Sequence, residues 1–150
     1  MIELDMVRDH YQTLLYLQEQ AIKKTPFSLS LIQETNRKLM KNTGSKINTA
    51  LVTVDTSNGE IRNFAVLSGS GGDYMNHQKI HRSLDALIKE TNDLLKHADN
   101  PLKAHNLAYD FHYNLVSIHP FGDGNGRVAR LMMNYLQWYR NEPATIINYI

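Results

Sequence analysis

Apolar residues along the first part of the chain recur at helical spacing. Val7, Tyr11, Leu14, Leu15, Leu17 and Ile22 predict a helix from Leu4 to about Lys24, ended by Pro26. Ser28 is a ready N-cap for a second helix whose Leu29, Ile32 and Leu39 share one face, with Gly44 just past its end. The period then changes. Ile47 to Val54, and in part Ile61 to Leu67, are rich in β-branched residues, and the Asp55-Thr56-Ser57-Asn58-Gly59 stretch between them carries the Asn-Gly hairpin signal. Two strands joined by that turn are therefore expected. The glycine- and serine-rich tract from Ser68 to Asp73 predicts an exposed, mobile loop. Helical spacing returns with Ile80, Leu84, Leu87, Ile88, Leu94 and Leu95. Asn100 and Pro101 form the next start signal, a cap followed by proline at the first helical position, for a helix through Leu107, Phe111, Leu115 and Ile118. Pro120 and the glycines after it break that helix. A last one opens near Asn125 or Gly126 and carries Val128, Leu131, Met132, Tyr135, Leu136 and Trp138. The expected architecture is mostly α with one β-hairpin, with residues 1–150 as a single domain. The apolar end from Ala144 to Ile150 has no stop signal and reads as the cut edge of something longer.

Composition narrows this picture without changing it. Of the 150 residues, 42% are hydrophobic, enough for one core, and 21% are charged. A net charge of +1 supplies no overall field to recruit nucleic acid or an anionic membrane. The absence of cysteine excludes a disulfide scaffold and a thiolate metal site, and fits a reducing compartment. The charged N-terminus MIELDMVRDHYQ has no apolar signal region, and no apolar run reaches the length of a bilayer span. These features together predict a soluble cytoplasmic domain.

Chemistry concentrates in one stretch, His119 to Arg130, HPFGDGNGRVAR. It joins two predicted helices. Glycines at 122, 124 and 126 let the backbone take unusual angles and come close to a ligand. Successive N–H groups in such a loop, and the positive end of the helix that follows, favour an anion. Arg127 and Arg130, three apart, share a helix face and add two guanidinium forks suited to phosphate. Asp123 is costly beside phosphates unless a cation such as Mg²⁺ lies between them. His119 is the group here that takes a proton near neutral pH. The set reads as a Mg–nucleotide site with a base beside it. The plainer reading of each member alone is a helix cap for His119 or Asp123 and a solvated face for the arginines.

The same stretch resembles, at every fixed position, the His-x-Phe-x-Asp/Glu-Gly-Asn-Gly-Arg-x-x-Arg signature of Fic-domain (Fido superfamily) proteins. Ala108 and His112 resemble the family's lead-in, and Leu131-Met132-Met133-Asn134 its exit. The resemblance implies a mostly helical fold, with the hairpin as a flap that positions a target. It also implies transfer of AMP from Mg-ATP to a Ser, Thr or Tyr hydroxyl of a target protein, including the domain itself. On that reading His119 is the general base, Phe121 the buried anchor of the loop and Asp123 the Mg²⁺ ligand. Gly124, Asn125 and Gly126 surround the α- and β-phosphates, Asn125 supporting the charge that develops at phosphorus. Arg127 belongs to the phosphate site and Arg130 grips the γ-phosphate. The letters of the Gly-Asn-Gly-Arg core are those of AMP-transferring relatives, not of those that transfer phosphate or phosphocholine.

Two features of the family are looked for in vain at their usual places. Its inhibitory Ser/Thr-x-x-x-Glu-Gly/Asn motif is approached by Ser30 to Glu34, but Thr35 follows and the segment patterns as a core helix, so an inhibitory segment or partner is expected from elsewhere. Its Gly-x-Tyr/Phe-Arg lead into the flap is replaced before the hairpin by Gly44-Ser45-Lys46-Ile47. Two alternatives stand beside AMP transfer: a catalytically quiet module that binds nucleotide or a partner, and a relative that removes AMP. Elsewhere, His77 and His81 have the i, i+4 spacing of a zinc pair without an obvious third ligand, and read more plainly as surface or capping histidines. His105 and His112 read as packing or supporting groups on the face of His119. Tyr135 and the methionines near it read as core, with Tyr135 a candidate to border the nucleotide. The lysines near 38 to 46 read as a solvated patch.

Overall fold

The computed structural model describes residues 2–48, 53–66 and 74–147. Five helices form the body: α1 (Ile2–Ile22), α2 (Leu29–Leu39), α3 (Ile80–Leu95), α4 (Pro101–Ile118) and α5 (Asn125–Tyr139). Two short strands, β1 (Lys46–Asn48) and β2 (Thr53–Asp55), pair antiparallel, with Ile47 opposite Val54. The Ser68–Asp73 tract lies outside the described residues.

Local chemistry starts the helices where the sequence signals stand. The Ser28 hydroxyl accepts from Leu31 N at 3.2 Å to cap α2, and Asn100 Oδ1 accepts from Lys103 N at 2.9 Å ahead of Pro101 to cap α4. A short 3-10 turn, His77–Lys79, leads into α3. The core gathers around α5, which packs on α4, α1 and α2, while α3 covers α4. Phe27 sits edge-on to Phe111 at 4.8 Å, and Tyr135 is fully buried beside Phe27, its hydroxyl donating to the Thr25 carbonyl. Tyr135, Met132 and Met133 are core residues, and Tyr135 does not line the concavity at the start of α5.

The structure adds to one sequence expectation and corrects another. Helix α1 forms as expected and buries the row Asp9, Thr13, Leu17 and Ala21, with Leu14 packed against the core. Asp9 is tolerated inside because its carboxylate accepts from Asn42 N and Asn42 Nδ2 at 2.8 and 2.7 Å. Val7, Tyr11, Leu15 and Ile22 remain exposed. The hairpin differs. Both strands come from the first β-branched run, and Asp55–Gly59 does not join them to the second. Asp55 Oδ1 accepts from Ser57 N and Oγ, and Gly59 takes a positive φ of 72° and lies against α2, its carbonyl accepting from Gln33 Nε2 at 3.1 Å. A Cβ on Gly59 would stand 2.5 Å from the Gln33 carbonyl oxygen. The turn signal is real, but it docks the chain on α2. The second run then finds its partner in the loop after α4, where Ile61 pairs with Phe121 and Arg62 N donates to the Pro120 carbonyl at 2.8 Å.

Candidate functional site

The loop between α4 and α5 begins with His119, which closes α4 in the left-handed conformation (φ 54°, ψ 62°), its N–H on the Leu115 carbonyl at 2.9 Å. The plain reading of His119 as a helix cap is thus correct for its backbone, and it frees the side chain to leave the helix. Phe121 follows, 1% exposed and within the core. Asn125 is buried as well, and its amide works in both directions on Phe121: Oδ1 accepts from Phe121 N and Nδ2 donates to Phe121 O, each at 2.8 Å. That closed ring holds the loop in one shape. What Asn125 leaves for a ligand is its backbone N–H.

Gly124 caps α5 at φ 81°, with no side chain covering the first turn. The opening N–H groups of α5 therefore point out of the helix unpaired by a capping side chain, at its positive end. A Cβ on Gly124 would stand 2.9 Å from Met40 Sδ, so α2 closes the back of the loop. Asn36 of α2 reinforces this by donating to the Asp123 carbonyl at 3.1 Å. The Asp123 carboxylate is exposed; one oxygen accepts from Gly124 N at 2.8 Å and leaves the other to solvent or a ligand.

These residues share one concavity of about 370 Å³, lined by His119, Gly122, Asp123, Gly124, Asn125, Gly126, Arg127 and Arg130. Every residue of the His119–Arg130 stretch that the sequence singled out for nucleotide, cation or proton stands there, with Phe121 beneath it; Tyr135, His77 and His81 do not line it. A larger cleft of about 540 Å³ between α1 and α2 holds Arg8, Asp9, Gln12 and Lys41 but none of this chemistry. Burial holds the His119 imidazole below the ordinary histidine range, and the Arg62 guanidinium adds to this; the Val116 carbonyl and Asp123 oppose it in part. The Val116 carbonyl nevertheless completes no hydrogen bond of ordinary geometry to Nδ1, which is buried without a partner. The His119 imidazole is therefore neutral at pH 7. His10 of α1 and His112 of α4 are likewise held low, first by burial and then by the arginines: Arg127 and Arg130 for His10, Arg130 for His112.

Three residues of this neighbourhood escaped the sequence reading. His10 comes in on α1. Arg62 is 2% exposed and donates through Nε to the His119 carbonyl at 2.6 Å, through Nη1 to Phe64 O at 2.8 Å, and through Nη2 to the carbonyls of Met75 and Ile118. Tyr74 stacks on His119, ring centroids 3.7 Å apart and planes within 4°. A signal for Arg62 was present: Gly59-Glu60-Ile61-Arg62 has the glycine-to-arginine spacing sought before the hairpin, but stands after it. The segment beside His119 is accordingly 61–66 with Tyr74 and Met75, not β1 and β2.

Other candidates resolve simply. Glu34 is held by Arg37, with Nε to Oε2 at 2.8 Å, and by Lys38 at 3.7 Å, so it serves its own helix. His105 contacts Gln137 at 3.0 Å and Glu142 at 3.6 Å. His77 opens the 3-10 turn and His81 is exposed; among the described residues no three His, Asp or Glu side chains converge as a metal cage. Lys41 and Lys46 are solvated, while Lys38 lies over the Tyr16 ring. No helix among the described residues is long and apolar enough to cross a membrane.

Comparison with known proteins agrees with this geometry. Short segments resemble proteins named protein adenylyltransferase Fic: 58% identity over 36 residues with that of Aedes aegypti, and 52% over 48 residues with that of Drosophila mojavensis. These segments are 24% and 32% of this chain but 7% and 10% of the relatives. A solved Fic domain containing signaling protein from Bacteroides thetaiotaomicron superimposes with a TM-score of 0.75 at 25% identity, over 95% of this chain and 50% of that one. A Fic family protein from Desulfovibrio desulfuricans, at 19% identity, shares the fold with a TM-score of 0.60 over 90% of this chain and 36% of its own. The model of the Fic/DOC family matches residues 26–137, from just before α2 to the last turn of α5 and through the whole loop between α4 and α5, so this chain belongs to the Fic/DOC family.

Proposed function

We propose that this chain transfers AMP from Mg-ATP to a Ser, Thr or Tyr hydroxyl on a target protein, itself included. The observation that carries this is the convergence of a neutral histidine, an exposed carboxylate and two arginines on the uncapped start of α5. Phosphoryl-type transfer asks for little covalent chemistry from the protein; it asks for positioning and charge neutralisation. The first-turn N–H groups of α5, those of Asn125 and Gly126, and the Arg127 and Arg130 guanidinium groups are the phosphate donors. The carboxylate of Asp123 fits a divalent cation held jointly with phosphate oxygens and water, the manner in which Mg²⁺ is usually bound. That cation neutralises phosphate charge when bound.

In the reaction the target hydroxyl oxygen bonds to the α-phosphorus, the bond to pyrophosphate breaks, and the hydroxyl proton passes to His119. Nε2 is the nitrogen we assign to that proton, because Nδ1 is buried. Such a base is worth ~10²–10⁴-fold in rate. Removal of AMP is the weaker reading, since the one candidate glutamate, Glu34, is engaged by Arg37 and Lys38. The deciding experiment incubates the chain with Mg²⁺ and α-labelled ATP in lysate, beside His119→Ala. Label on protein that disappears in His119→Ala is expected; label that survives the substitution, or that never forms, refutes transfer through this base.

A further inference from the structure

We propose that Tyr74 is a positioning residue for His119: its ring, stacked on the imidazole, fixes the plane that no hydrogen bond of ordinary geometry at Nδ1 fixes. The inference rests on the reading of His119 as the base. A catalytic histidine is ordinarily oriented by an acceptor on its second ring nitrogen, which sets tautomer and plane together. His119 has that restraint only weakly: Nδ1 is buried, and the Val116 carbonyl beside the ring completes no hydrogen bond of ordinary geometry to it. What lies against the ring instead is Tyr74, at 3.7 Å between centroids and 4° between planes. Turning the imidazole about its outer torsion, a broad and soft one, would drive a ring edge into the phenol face.

The stack is held from behind. One buried guanidinium ties both backbones beneath it, Arg62 Nε on the His119 carbonyl and Nη2 on the carbonyl of Met75, next to Tyr74. Tyr74 N donates to Val66 O at 3.2 Å, which closes the chain on itself at the same place. Tyr74 positions rather than reacts. In a parallel stack its hydroxyl lies in a plane offset from the imidazole lone pairs, so it is poorly placed to relay the Nε2 proton. The phenol also covers one imidazole face, so an acceptor hydroxyl reaches Nε2 along the ring edge, in the plane the stack defines.

The test uses the whole chain and two readouts. The first is the ring proton and carbon resonances of His119, assigned by their loss in His119→Ala. In the native chain they are displaced upfield by the Tyr74 ring current. Tyr74→Phe retains the displacement, while Tyr74→Ala and Tyr74→Leu, the latter keeping apolar bulk, lose it without moving the signals of the other histidines. The second is transfer of labelled AMP: kcat falls up to ~10²-fold in Tyr74→Ala and Tyr74→Leu with KM for ATP unchanged, and Tyr74→Phe restores it. His119 resonances that ignore Tyr74→Ala overturn the proposal. So does a Tyr74→Phe chain no more active than Tyr74→Leu. If the native chain transfers no AMP, the functional reading fails, and the resonances still decide whether Tyr74 holds the ring.

Discussion

Replacing Arg62 with methionine removes the cation that ties residues 61–66 and Met75 to the end of α4. The four carbonyl contacts of Arg62 are charge-assisted hydrogen bonds, each worth about 1.5–3 kcal/mol, so the gross loss is roughly 6–12 kcal/mol. Against this, no carboxylate pairs with Arg62 among the described residues, and burying an uncompensated cation costs several kcal/mol. The C-terminal end of α4 recovers part of that cost, because Ile118 and His119 present the negative end of the helix to the guanidinium. Methionine fills similar volume and carries no charge, so the net destabilisation expected is ~2–4 kcal/mol, left by the carbonyls that lose their donor. In a chain of this length about 1 kcal/mol moves the melting temperature by ~2–4 °C, so Arg62→Met should melt roughly 4–16 °C lower. Thermal unfolding followed by far-UV circular dichroism measures this. Arg62→Lys is expected to fall between, since one ammonium cannot reproduce the fork. An Arg62→Met chain that melts within about 2 °C of the native one would falsify the assignment of Arg62 as the tie between these segments.

The remaining predictions concern the loop and its titration. His119, His10 and His112 are all held below the ordinary histidine value of 6.5, chiefly by burial. The unfolded chain therefore takes up protons near pH 6.5 while the folded chain does not, so stability is full above that pH and declines as pH falls below it; urea midpoints that rise on acidification would contradict this. For the same reason kcat/KM for AMP transfer should stay level at pH 7 and lose activity only below 6.5, as His119 protonates. Asn125→Ala strips both partners from the buried Phe121 N–H and C=O, and should lower stability by ~2–4 kcal/mol in chemical denaturation. A midpoint equal to the native one would mean that the loop keeps its shape without the Asn125 ring. Asp123→Asn should leave the fold intact and raise the Mg²⁺ concentration for half-maximal transfer by at least the ~10-fold that even outer-sphere metal partners are worth. An unchanged Mg²⁺ dependence would remove Asp123 from the cation site.

Much of this protein was already written along the chain. The helices are legible because their causes are local: Ser28 and Asn100 each cap a helix within three residues, and the apolar spacing of α3, α4 and α5 repeats over a few turns. The candidate site is legible because nearly all its chemistry falls within His119 to Arg130, so one stretch of chain between two helices brings it together. What the sequence could not show is which distant element completes each local feature. The apolar pattern of α1 does not by itself show its buried face, because Asn42, 33 residues away, satisfies Asp9 inside beside Leu17, while Val7 and Tyr11 stay outside. The Asn58-Gly59 turn signal predicts a hairpin, but pairing depends on the partner available, and the loop at Pro120 and Phe121 takes Ile61 and Arg62 in place of the first strand. Arg62 reaches His119 across 57 residues and Asn36 reaches Asp123 across 87. Local preference sets where helices begin and where a ligand-binding loop lies; only the packed chain decides which side chains stand behind that loop and hold its histidine in place.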